Sequence, residues 1–124
     1  MTVTKICMEK NEPVSQAKIN DSIERICRAE IIEQVHSSCK QYGDVEIILM
    51  VFEKFYLRTK SMASATVEIV CYKGLQEVTI ISTAGGGGLL NISFGSNSDF
   101  AKIFKKVFEG MGFKETYKFK SIYN

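Results

Sequence analysis

The sequence predicts an α+β fold: a two-layer domain in which an antiparallel β-meander of three to five strands is flanked by an N-terminal and a C-terminal amphipathic helix. Three observations predict it. Apolar residues recur at steps of three and four near both ends of the chain, as on a helix with one buried face. Between those stretches the period switches to two, the signature of strands. With 124 residues, 45% hydrophobic and 24% charged, the chain has the size and composition of one soluble globular domain with a real core. Helices laid on one face of a sheet bury both layers. Residues 1–124 read as that single domain, without an internal repeat or a low-complexity linker.

Val3 to Met8 is a short candidate first strand. Asn11-Glu12-Pro13 then offers a cap followed by a proline suited to a first helical turn. Asp21 with Glu24 offers a second start, so the segment is one helix from about Pro13 or two with a break near Asn20. Ile19, Ile23, Ile26, Cys27, Ile31, Val35 and Cys39 carry the helical stripe onward, and Gly43 supplies a left-handed stop.

From Val45 to Arg58 the chain alternates with two apolar faces. Val45, Ile47, Leu49 and Val51 lie on one, and Ile48, Met50 and Phe52 on the other. A strand covered on one side only alternates apolar with polar, so this one is central or its second face meets another helix, a loop or a partner chain. Ala63 to Tyr72 is a second strand, with Ala63, Ala65, Val67, Ile69 and Cys71 facing in. Lys73-Gly74 forms a tight hairpin into a third strand, Gln76 to Ser82. Leu89 to Phe94 alternates again as a fourth. Gly95-Ser96-Asn97-Ser98-Asp99 supplies a turn, a cap and an acidic first turn for a helix carrying Phe100, Ile103, Phe104, Val107, Phe108 and Met111 on one face. Gly110 and Gly112 end it, and Phe113 to Asn124 is a last strand or a tail.

No apolar run reaches the roughly 18 residues of a membrane span. The opening Met1-Thr2-Val3-Thr4-Lys5 lacks the layout of a secretory signal, so a cytoplasmic location and no membrane partner are expected. Cys7, Cys27, Cys39 and Cys71 are scattered with no C-x-x-C pair, and His36 is the lone histidine; no metal site and no cofactor are expected. A net charge of +2 is too small to imply nucleic acid. The C-terminal lysines Lys102, Lys105, Lys106, Lys114, Lys118 and Lys120 read as a solvated face. The helix–strands–helix order resembles double-stranded RNA-binding domains in topology, but Asp99 stands where their last helix would begin with lysines.

The least ordinary feature is the run Gly85-Gly86-Gly87-Gly88. Glycine costs folding entropy, so four together need a bend without Cβ atoms or a close approach to the backbone. Successive N–H groups in such a turn can cradle an anion. No G-x-x-x-x-G-K-[ST] and no G-x-G-x-x-G is completed, and a flexible or bulged hairpin loop is the plainer explanation of the run, with a ligand contact as the alternative. Glu53, Lys54, Tyr56 and Arg58 follow the apolar stretch of the long strand. Either the strand emerges there into solvent, or Lys54 and Arg58 meet an anionic ligand or an acidic partner surface near the glycines. His36 and Cys39 fall on neighbouring helical positions without an orienting third group, so no catalytic residue is assigned.

Phe52-Glu53-Lys54-Phe55-Tyr56-Leu57-Arg58, then Ala63-Ser64-Ala65, the glycines and Phe94-Gly95-Ser96 resemble a family of short uncharacterised bacterial proteins, a domain of unknown function found mainly in Firmicutes. The resemblance spans the central half of the chain and implies a stand-alone bacterial protein, with no activity to carry over. The expected function is a non-enzymatic binding module for a small anionic ligand or a protein partner, through Gly85–Gly88, Glu53, Lys54, Tyr56 and Arg58. The two-sided strand also suggests a homodimer. The alternatives are a weak nucleic-acid-binding domain and an enzyme without a recognisable motif.

Overall fold

In the computed structural model the chain is α+β, with a six-stranded antiparallel sheet and two helices. The structure describes residues 2–86 and 96–122. In chain order the elements are β1 (Thr2–Lys10), α1 (Gln16–Glu30), β2 (Glu33–Tyr42), β3 (Val45–Tyr56), β4 (Ser61–Tyr72), β5 (Leu75–Gly86), α2 (Ser96–Gly110) and β6 (Lys114–Ile122). The strand order across the sheet is β2-β3-β4-β5-β1-β6. Consecutive hairpins build β2 to β5, and both terminal strands return to the β5 side. The strand expected over Leu89 to Phe94 lies outside the described residues.

The first helix is shorter than its apolar stripe suggests. It starts at Gln16, where Ser15 accepts a hydrogen bond from the Lys18 N–H at 3.2 Å. It runs unbroken past Asn20, and Asp21 and Glu24 serve as i,i+4 partners of Arg25 and Arg28 rather than as caps. It ends at Glu30 because Ile31 takes a left-handed conformation, φ 55° and ψ 56°, and Ile32 N–H reaches back to the Cys27 carbonyl. This is a Schellman-type stop with isoleucine where glycine is usual. The residues expected to continue the helix to Cys39 are instead β2, paired with β3 and bulged between Gln34 and His36. In the expected helix they would have had no hydrogen-bonding role for the β3 edge, whereas as a strand they close it.

The remaining punctuation follows the sequence. Gly43 (φ 58°) opens the β2–β3 turn, and Lys73 and Gly74 (φ 47° and 83°) make the β4–β5 turn. After α2, Phe113 N–H bonds the Phe108 carbonyl and Gly112 N–H the Glu109 carbonyl, with Gly112 at φ 97°.

The core lies between the inner face of the sheet and the helices. α2 crosses β4, β5 and β1, burying Phe100, Phe104 and Phe108 against Ala63, Ala65, Val67, Ile80 and Ile6. The small Ala63 and Ala65 leave room for these rings, and Phe104 reaches Phe52 of β3 at 4.6 Å between centroids. Ile19 and Ile23 bring α1 into the same cluster. The buried Gln76 amide fixes the β1–α1 connection by accepting from Val14 N–H (2.7 Å) and donating to the Val14 carbonyl (3.0 Å). No described helix is long and apolar enough to cross a membrane.

Candidate docking surface

Both helices sit on one face of the sheet, so the other face has nothing over it among the described residues. The strand register places its side chains in rows. One end row is Tyr42, Val45, Tyr72 and Leu75. The next holds Lys40, Ile47, Val70, Glu77 and Glu9. The middle rows hold Leu49, Glu68, Thr79 and Cys7, then Val51, Thr66, Ile81 and Lys5, whose β6 neighbour is Phe119. Then come Glu53, Ser64 and Thr83, and finally Phe55 and Met62.

The apolar side chains of this face are unusually open. Tyr42, Phe55, Met62, Tyr72, Ile81, Tyr117 and Phe119 keep between 38% and 61% of their surface exposed. Each aromatic carries roughly 200 Å² of side-chain surface, so these seven expose on the order of 600 Å² of largely apolar area. The largest apolar patch on a monomeric protein is typically about 300–600 Å² and often functional. Val45, Ile47, Leu49 and Val51, all half-buried, form a continuous apolar column along β3. The charged residues Lys40, Glu9, Glu77 and Glu53 lie in the rows towards the margins, and Glu68 and Lys5 occupy the middle rows. The Ser64 and Thr83 hydroxyls bond to each other at 2.9 Å, which lowers the cost of covering them.

The residues singled out by the sequence gather at one end of the sheet but do not form one group. Lys54 points to the inner side, where its ammonium donates to the Glu30 carbonyl at 2.6 Å and lies 3.5 Å from the Glu30 carboxylate. It ties the exposed end of α1 to β3 and stands 5.3 Å from the centroid of the Tyr56 ring. Tyr56 packs edge-on to Phe100 at 6.4 Å, and its buried hydroxyl has no hydrogen-bond partner among the described residues. Burial, followed by the nearby carboxylates of Asp99 and Glu30, pushes its pKa up to about 12. Glu53 lies on the opposite, outer face, beside Glu33 of β2 and Ser64 of β4. Arg58 is exposed in the β3–β4 turn. Gly85 and Gly86 finish β5 in register with Met62 and Ser61, which brings them next to that turn. Gly87 and Gly88 lie outside the described residues.

His36 and Cys39 fall on opposite faces of β2, because strand neighbours three apart diverge where helical neighbours converge. Cys39 is exposed rather than a core residue, and His36 Nε2 lies 3.2 Å from the Ser38 hydroxyl. Burial raises the pKa of the Cys27 thiol, which is half-buried on α1. The C-terminal lysines divide between elements, with Lys105 engaged by Glu115 of β6 at 3.4 Å.

Several grooves run along α1, and two of them bear on docking. One, of about 420 Å³, runs between the helices over Ile26, Val107 and Met111, with Lys18, Arg25 and Lys106 at its rim. The other, of about 560 Å³, passes the α1 terminus between Ile31, Lys54, Phe55 and Met62. Met111 is buried and Ile26 and Val107 only half open, so the first groove offers far less apolar surface than the outer sheet face. The second groove opens onto that face at Phe55 and Met62.

The residues of this face that the sequence left unmarked are Tyr42, Met62, Tyr72, Ile81, Tyr117 and Phe119. The signal for Met62 and Tyr72 was their phase, one position out of step with Ala63 to Cys71. Tyr42 and Tyr117 became legible only with the pairing of the two edge strands.

The family model for a family of unknown function (DUF6054) matches residues 8–112, and the chain belongs to that family. None of the curated proteins matches the chain. Among solved structures, the crystal structure of Ara h 8.0201 aligns at 12% identity over 88% of this chain and 95% of that one, with a TM-score of 0.47. The Zhui aromatase/cyclase from Streptomyces sp. R1128 aligns at 7% identity over 89% of this chain and 86% of that one, with a TM-score of 0.27.

Proposed function

We propose that this family member is a non-enzymatic binding module that docks a protein partner on the outer face of its sheet. One observation carries the reading: the apolar column of β3 continues at both ends into exposed side chains, Tyr42 and Tyr72 at one and Phe55 and Met62 at the other. Isolated exposed apolar residues need no explanation, but a contiguous face of them does.

A protein partner suits the surface better than a small anion. Lys54 is already engaged by Glu30, and Glu33 and Glu53 stand side by side near it. An anion approaching that end would meet carboxylates as well as the exposed cations Arg58 and Lys60 of the β3–β4 turn. The proximity of Gly85 and Gly86 to the Arg58 turn is what supports the anion alternative.

The test is the size of the complex in fresh extracts of the native source. The wild-type chain is expected to elute well above its 13.9 kDa monomer mass. A Phe55→Glu/Tyr72→Glu variant, altered only at exposed positions, is expected at the monomer position. Equal elution of the two proteins would overturn the reading.

A further inference from the structure

We infer that the occupant of the outer sheet face is a second copy of this chain, related by a twofold axis that lies between the sheets and runs perpendicular to the strands. The inference deepens the docking reading above and rests on it. Its first support is area. Six strands about 4.8 Å apart, crossed by rows spanning about ten residues, give a footprint of roughly 800 Å², the share one partner contributes to a standard stable interface. Two such faces packed at about 10 Å form a closed sandwich.

The second support is the arrangement of charge, which selects the axis. A twofold parallel to the strands would lay β2 over the partner's β6, β3 over its β1 and β4 over its β5. Lys40 would then face a second lysine, the copy of Lys114, and Val70 would face the copy of Glu77. The like charges brought together there oppose that pairing. A twofold perpendicular to the strands lays each strand over its own copy with the rows reversed. Val45 then meets the copy of Phe55, Tyr72 that of Met62, and Leu49 that of Val51. Glu68 meets the hydroxyl of Thr66, and Glu53 comes over Ile47, next to Lys40 in the adjoining strand. No row sets like charges directly against each other, and the interface is isologous, as a closed dimer requires.

The pairing of Tyr72 with Met62 makes the test specific. These residues occupy opposite ends of β4, ten positions apart, or roughly 33 Å along the strand. A photoreactive benzophenone side chain at position 72 therefore cannot reach Met62 of its own chain. Irradiation in the native cells, followed by mapping of the adduct, is expected to give a homodimer linked near Met62. A homodimer linked near Leu75 instead would overturn the axis. An adduct with a different protein and no homodimer would overturn the second copy while leaving the docking reading standing. No adduct, together with monomer elution of the wild type, would overturn both. As a control on folding, Phe55→Glu should abolish the adduct while keeping the far-ultraviolet circular dichroism of the wild type.

Discussion

Ile48, Met50 and Phe52 on one side of β3 and Ile47, Leu49 and Val51 on the other are nearly the same set of side chains, interleaved residue by residue. The first set is sealed in the core beneath the helices, while the second is half open on a face that no described element covers. The difference teaches that a strand's own residues declare how much apolar surface it has, but not what covers it. Coverage is decided by distant elements, here α2 and the two isoleucines of α1. The inner set holds the monomer together, and the outer set is available for association.

The widest gap between the faces should appear in paired truncations. Phe52→Ala removes a fully buried ring that touches Phe104 and is expected to cost about 3–5 kcal/mol in denaturant unfolding. Val51→Ala, one residue away on the outer face, should cost under about 1 kcal/mol when measured at a concentration where the chain is monomeric. Comparable losses would erase the distinction.

The next effect concerns the cation of the inner face. Lys54→Met keeps the side-chain volume but removes the ammonium from the Glu30 carbonyl, and should lower stability by about 1–3 kcal/mol. An unchanged unfolding midpoint would return Lys54 to the candidate ligand groups.

Two changes should stabilise the fold, by smaller amounts. Ile31→Gly relieves a β-branched residue from left-handed geometry and should raise stability by up to about 1 kcal/mol, the strain being partly offset by glycine's added freedom in the unfolded chain. Tyr56→Phe removes a buried hydroxyl that has no partner among the described residues and should be neutral or stabilising by about 1 kcal/mol. It should also alter the alkaline limb. The Tyr56 pKa is raised in the folded state to about 12 from the ordinary 10.0, so between those values the unfolded chain sheds the proton first and stability falls as pH rises. Below pH 10 this contribution is fully present; in the phenylalanine variant the fall through that window should be shallower.

Much of this fold was legible in the sequence. The period-two runs and the Lys73-Gly74 turn mark β3, β4 and β5, and the phenylalanine stripe closed by Gly112 marks α2. What misled was the stretch around Ile31. Helices usually stop at glycine or asparagine, and here isoleucine takes the left-handed position, so Val35 and Cys39 extended the helical spacing by coincidence. β2 is an edge strand with polar residues on both faces, so it carries no clear alternation of its own. At the candidate sites, the two-sided apolar character of β3 was visible, but the separation of Lys54 from Arg58 was not. It depends on the α1 terminus folding back to meet the ammonium, a contact between residues 24 positions apart.

Sedimentation velocity with denaturant unfolding of a Phe55→Ser/Tyr72→Ser variant tests the division of labour between the faces most directly. The variant is expected to sediment as a monomer where the wild type sediments as a dimer, with monomer stability kept within about 1 kcal/mol. A variant that still sediments with the wild type, or that loses as much stability as Phe52→Ala, would contradict it.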